Sequence, residues 1–200
     1  MQNYKLSDED GAILVRAARK IVTEFVASGR RTLLDDDVKR RFAFECGVFV
    51  TLNKDGSLRG CIGYPLPRNL QAALPEAAIA AATGDPRFPP VIQDELDKIT
   101  FEVTILTPPV ELKVERAHLP SVIKVGRDGL IVRRGFKSGL LLPQVPVEYG
   151  WNETEFLEHT CQKAGLPKDA WKDESTSVSS FEGIIFCEDT PKGSVSRHYL

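Results

Sequence analysis

A surplus of charge is the first thing missing from this sequence: 26 Lys and Arg stand against 28 Asp and Glu, a net of -2 over 200 residues. No global field draws such a chain to nucleic acid or to an anionic membrane. Long apolar runs are also absent. "AAIAAA" and "GLLLP" fall far short of the ~20 residues that span a bilayer. The opening "MQNYKLSDED" lacks the basic-then-apolar order of a secretory signal, so the sequence predicts a cytosolic protein.

Cysteine is sparse and badly spaced for metal or dithiol chemistry. The four, Cys46, Cys61, Cys161 and Cys187, include no C-x-x-C pair, and the three histidines have no metal-ligand spacing. No metal site is expected, and the cysteines read as free thiols in a reducing compartment, with the disulfides of hyperthermophiles' intracellular proteins as the open exception. "RRGFKSG" imitates a phosphate-binding loop and fails, because Phe136 separates Gly135 from Lys137. Internal repeats and low-complexity linkers are lacking too. One domain over residues 1–200, with two subdomains as the alternative, fits this length.

What is there reads as mixed helix and hairpin. Ser7 followed by Asp8, Glu9 and Asp10 caps a helix, and Leu14, Ala18, Ile21, Val22 and Phe25 recur at helical spacing up to Gly29. "RTLLDDDVKRRF" is either a short helix or a loop. "CGVFVTLNKDGSLRGCIG" changes to strand chemistry around an Asp-Gly turn and predicts a hairpin. An Ala-rich helix follows in "NLQAALPEAAIAAATGDPRFPP", with Pro75 in its first turns or at its true start. "KITFEVTILTPP" alternates as a half-buried strand with Glu102 on its polar face, and "DGLIVRRGFKSGLLLP" reads as a second hairpin. "NETEFLEHTCQKAGLP" is a capped helix and "SSFEGIIFCED" a last strand that closes the fold. Hairpins and helices without βαβ alternation predict an α+β fold with a mainly antiparallel sheet and flanking helices.

Cys61 is the leading candidate for chemistry. It stands between glycines, and glycine in a strand marks a bulge or a close approach. Strict alternation puts Arg59, Cys61 and Gly63 on one face and Leu58, Gly60 and Ile62 on the other. An arginine within ~7 Å along the strand would then favour the thiolate. A small buried thiol in a tight hairpin is the competing reading. Asp85 and Arg87 in "GDPRFPP" are either turn and ion-pair residues or an oriented acid and base near a pocket, and Phe88 reads as core. His159 and Cys161, two apart on a helix, point about 200° apart and cannot form a dyad. Cys161 falls on the apolar stripe, and His159 among exposed Glu155 and Lys163. Arg127, Arg133, Arg134 and Lys137 read as a solvated face in a chain of this net charge.

"LRGCIG", "DPRFPP", "FEVTILTPP" and "GLLLPQV", in this order, resemble the AMMECR domain family over nearly the whole chain. "CQKAGLP" and "YGW" are similar to its prokaryotic stand-alone branch. The resemblance implies two lobes around an antiparallel sheet. It implies a pathway shared with a MEMO-type protein, itself similar to non-haem iron dioxygenases, and with a radical S-adenosylmethionine enzyme. The family's motif residues fall on Arg59, Gly60, Cys61, Gly63, Asp85, Arg87 and Phe88; no cofactor comes with them.

Two functions fit these residues. One is a thiol-dependent enzyme or accessory subunit acting on a small molecule or peptide, with Cys61 reactive, Arg59 as anion clamp, and Asp85 or Glu102 as acid or base. In that reading Gly60, Gly63, Arg87 and Phe88 bind the ligand. The other is a non-catalytic module whose glycine-walled groove holds a protein or RNA segment.

Overall fold

The computed structural model describes residues 6–198; residues 1–5, read above for a leader, lie outside them. The chain's contacts divide it into two units, one of residues 1–106 and 184–198 and one centred on residues 107–183.

In the first unit, helix α1 (Asp8–Ser28) starts from the expected cap. The Ser7 hydroxyl accepts from Asp10 N–H, the Asp10 carboxylate accepts from Ser7 N–H, and Gly29 ends the helix in the left-handed region at φ 69°. The charge-rich stretch forms a short helix, α2 (Asp36–Arg41). Strands β1 (Glu45–Lys54) and β2 (Ser57–Asn69) make the expected hairpin, with both turn residues, Asp55 and Gly56, at positive φ. That is the geometry a two-residue turn needs to match strand twist.

Helix α3 (Leu70–Thr83) begins at an Asn69 cap, so Pro75 sits inside it rather than at its start. Strand β3 (Ile99–Leu106) alternates as expected. Its Ile99, Phe101, Val103 and Ile105 are buried, while Thr100, Glu102 and Thr104 are half-buried. The core of this unit lies where α1 and α3 cover one face of the sheet, around Leu14, Ala18, Ile21, Val50, Leu52, Ala77 and Phe101.

The second unit runs through strand β4 (Val110–Glu111), helix α4 (Leu119–Val122), the hairpin β5 (Asp128–Arg134) and β6 (Lys137–Leu141), and helices α5 (Gln144–Tyr149) and α6 (Glu153–Lys163). Cys161, fully buried, joins Leu130, Val132, Phe156 and Trp171 in its core. His159 has exposed Glu155 and Lys163 one turn to either side, as expected, but is itself half-buried. Its ring lies on Trp151 at 3.7 Å between centroids, and Trp151 lies on Tyr149 at 4.9 Å.

Strand β7 (Ser177–Glu188) passes from the second unit into the first. Its first residues pair with β4 and β5, and its last residues lie next to β3. It is not the final strand: β8 (Val195–His198) follows and pairs antiparallel with its end. With only four residues and a polar composition, β8 carries no alternation that a sequence reading could detect. The described residues form an α+β fold built on antiparallel pairs.

Candidate functional site

The site is set by the register of the β1–β2 hairpin. Thr51 faces Cys61 and Leu52 faces Gly60, but Asn53 faces Leu58, which leaves Arg59 as the extra residue of a β-bulge. Alternation therefore breaks at the residue on which the sequence reading depended. Leu58, not Arg59, shares the Cys61 face, and it is 41% exposed. The Arg59 guanidinium turns to Glu95, donating to both carboxylate oxygens at 3.1 and 2.9 Å, and to the Pro89 carbonyl at 2.9 Å. Arg59 is thus a structural cation rather than the anion clamp beside the thiol.

Gly60 meets a backbone. A Cβ placed there would lie 2.1 Å from the Ala81 carbonyl oxygen, so only glycine lets α3 come this close to β2. At Gly63 the neighbour is the facing residue of β1: a Cβ would lie 2.5 Å from the Phe49 ring and 2.3 Å from the Val48 carbonyl oxygen. Gly63 makes room for an aromatic ring, a role different from the expected opening beside the thiol.

Three side chains lie in one row across β2, β1 and β3. Cys61 faces Thr51, and Thr51 faces Glu102 on its other side. The Thr51 hydroxyl donates to Cys61 Sγ at 3.4 Å, and Thr51 is the cross-strand neighbour of Glu102. Burial raises the Glu102 pKa above its ordinary 4.5, against the Thr51 hydrogen bond, the charge of His198 and the Thr104 hydroxyl, which lower it. Burial also pushes the Cys61 thiol up, opposed by the Thr51 hydrogen bond; Glu102 and Asp85 add to the rise and Arg87 opposes it. Burial thus favours the neutral thiol, the opposite direction from the one expected of Arg59. Thr51 was missed in the sequence because a lone threonine in a strand carries no signal. Only the register shows that it faces both partners.

Asp85 and Arg87 form the near wall. The helix stop at Gly84 turns the chain so that the buried Asp85 accepts from Cys61 N–H at 2.9 Å. Asp85 also takes a two-pronged contact from Arg87, Nε to Oδ1 at 2.9 Å and Nη2 to Oδ2 at 2.7 Å. Those donors, the Arg87 guanidinium above all, hold its carboxyl well below the usual carboxylate range. These contacts favour the carboxylate form of Asp85 and make it an anchor for Cys61 N–H and Arg87, which disfavours the acid or base role expected from sequence. The half-exposed Arg87 Nη2 approaches the Cys61 carbonyl at 3.5 Å, and its guanidinium lies over the half-buried Phe88 ring at 5.5 Å.

Cys187 is a further thiol on which the Glu102 charge acts. Burial first, then the Glu102 charge, pushes it up to about 11. Among the described residues no three His, Cys, Asp or Glu side chains converge as metal ligands, and no helix is long and apolar enough to cross a membrane.

Comparison with known proteins matches this chain to relatives along nearly all its length. It is 52% identical over 203 residues to a protein of Thermococcus gammatolerans, covering 98% of this chain and 99% of that one. It is 54% identical over 191 residues to a protein of Methanothermobacter thermautotrophicus, covering 94% and 100%. The crystal structure of the uncharacterised protein PH0010 from Pyrococcus horikoshii superposes with a TM-score of 0.84 at 48% identity, covering 98% of this chain and 100% of that one. The family model AMMECR1 matches residues 15–186. With most of both units inside that match, the chain belongs to the AMMECR1 family.

Proposed function

We propose that the protein is a thiol-dependent catalyst in which Cys61 attacks an electrophilic carbon of a small molecule or peptide, with Glu102 as its base through Thr51. The observation that carries this reading is the row Cys61–Thr51–Glu102 across three paired strands, with the Thr51 hydroxyl 3.4 Å from Cys61 Sγ and its residue facing Glu102. A hydroxyl accepts and donates at once. At rest the Thr51 hydroxyl donates to Cys61 Sγ; on attack it rotates so that its proton points to the facing Glu102 carboxylate and its oxygen accepts from the S–H. As Sγ bonds to an acyl carbon, the thiol proton passes to Thr51 Oγ1 and the Thr51 proton passes to Glu102. The protonated Glu102 then returns a proton by the same route to the leaving group, whose bond to the acyl carbon breaks, and a thioester remains on Cys61. Water or an acceptor nucleophile releases the acyl group and restores the thiol.

Burial supports this division of labour. An isolated thiolate or carboxylate is disfavoured here, since the pKa values of Cys61 and Glu102 are both raised. A carboxylate with raised proton affinity is suited to take the thiol proton at the moment of attack. The MEMO-type and radical S-adenosylmethionine proteins that the family resemblance implies are consistent with an accessory subunit that hands on a thiol-bound intermediate.

The test is the rate of Cys61 alkylation by iodoacetamide near pH 7, assigned by peptide mass spectrometry, in Thr51→Val and Glu102→Gln. Both should slow Cys61 by about tenfold or more, within the range of general base catalysis. The sign is diagnostic. If Glu102 acts only by its charge, which raises the thiol pKa, removing it will speed alkylation and the relay is wrong. Equal, slow labelling of Cys61 and the buried Cys161 would favour the non-catalytic binding module instead.

A further inference from the structure

Arg87 is held in a way that neither the fold nor the proton relay requires. Its side chain is 54% exposed, yet Nε and Nη2 are locked on a carboxylate that is itself only 3% exposed. Asp85 in turn is fixed by Cys61 N–H and by Arg87 N–H. A surface arginine ordinarily keeps its rotamer freedom, and an exposed ion pair contributes little to stability. Here the orientation is set before any ligand arrives, which lowers the ordering cost of binding. With Nε and one Nη2 N–H taken by Asp85 and the second Nη2 N–H directed at the Cys61 carbonyl, the N–H groups of Nη1 remain for a ligand. A charged N–H donor of this kind suits an oxygen of a carboxylate or a phosphate.

We infer that the substrate carries an oxyanion group, a carboxylate or a phosphate, which binds Nη1 of Arg87 and thereby presents its electrophilic carbon to Cys61. This rests on the reading of Cys61 as nucleophile and names the class of molecule it attacks. Asp85 is the positioning residue. The arginine that selects the anion is the one in "DPRFPP", and the one in "LRGC" has a structural task at Glu95.

Paired alkylating reagents test this directly, because iodoacetate carries a carboxylate and iodoacetamide does not. In the intact protein, the ratio of iodoacetate to iodoacetamide rate at Cys61 should exceed that of a free cysteine by roughly three- to tenfold, the range of a partly exposed charge-assisted contact. The excess should shrink as salt is raised from about 0.05 to 0.5 M, since a partly exposed contact is screened. Arg87→Gln should bring the ratio to that of free cysteine, and Arg87→Lys should keep part of the excess as an unpaired point charge. Should Arg87→Gln fail to fold, the salt series and added inorganic phosphate, a competitor for iodoacetate but not for iodoacetamide, decide on the wild-type protein. A free-cysteine ratio at Cys61, insensitive to salt, overturns the anion site while leaving the nucleophile intact. Absence of labelling by either reagent overturns the nucleophile itself.

Discussion

Arg59 shows how much one inserted residue changes. Strict alternation places its charge beside the thiol, but the bulge removes it, and the hexapeptide spelling alone contains no sign of that shift. Cys61 and Glu102 were legible because a glycine-walled cysteine and a charge on an alternating strand are both unusual. Their bridging threonine was not. Glu95 was also invisible in the sequence, being one carboxylate in a charged stretch, yet it anchors both Arg59 and Lys54. Hydrogen bonds from Arg59 and then Lys54 lower its pKa from an ordinary 4.5 to about 2. Between those values the unfolded chain binds the extra proton, so the stability this carboxylate contributes is complete above about pH 4.5 and fades as pH falls toward 2. Glu95→Gln is expected to cost about 1–3 kcal/mol at pH 7, leaving Arg59 without its charge partner. That gap should close as pH falls from 5 to about 2, read as urea midpoints of the two proteins. Parallel curves would show that Glu95 is not the titrating group.

Among the elements, the long helices and both hairpins follow from capping, turn chemistry and periodicity, because these signals are local. The approach of α3 to β2 is not local, but Gly60 announced that something came near. Replacing it with Val sets branched carbons against the Ala81 carbonyl, a backbone group that cannot rotate away, and should cost at least about 1–3 kcal/mol. Gly63→Ala now carries the same expectation. Its Cβ would meet the Val48 carbonyl and the Phe49 ring, so a loss of about 1–3 kcal/mol should accompany any change in thiol labelling. Thermal or urea unfolding of the two variants checks this. A Gly63→Ala protein of wild-type stability would mean that β1 yields at Val48 and Phe49.

For the molecule as a whole, near-neutral charge and the pairing of its basic residues predict weak RNA affinity. Arg127 contacts Asp128 and Glu182, Arg134 contacts Asp173, and the Lys137 ammonium donates to the Gly165 carbonyl. A cavity of about 310 Å³ in the second unit is lined by Arg134 and Lys172 but also by Asp169 and Asp173. Titration with single-stranded and structured RNA at physiological salt should give a dissociation constant of roughly 10⁻⁴ to 10⁻⁶ M that weakens steeply with added salt. Tight binding that survives salt would restore the module reading. Composition made this legible at the outset, whereas the division into units was not. No linker marks it, because β7 simply runs from one unit into the other.

That crossing strand has a consequence for the ribosome. The first unit's buried Arg19 finds its carboxylate partner, Glu188, only near the end of the chain. Until that strand emerges, β3 has its β1 neighbour but not its β7 neighbour, and one edge of an otherwise complete sheet stands open. Nascent domains usually fold as they appear, N-terminal parts first. Here the part made first waits for the part made last, so a ribosome stalled between residues 106 and 184 holds a sheet with an unpaired edge, the kind of template that recruits other chains.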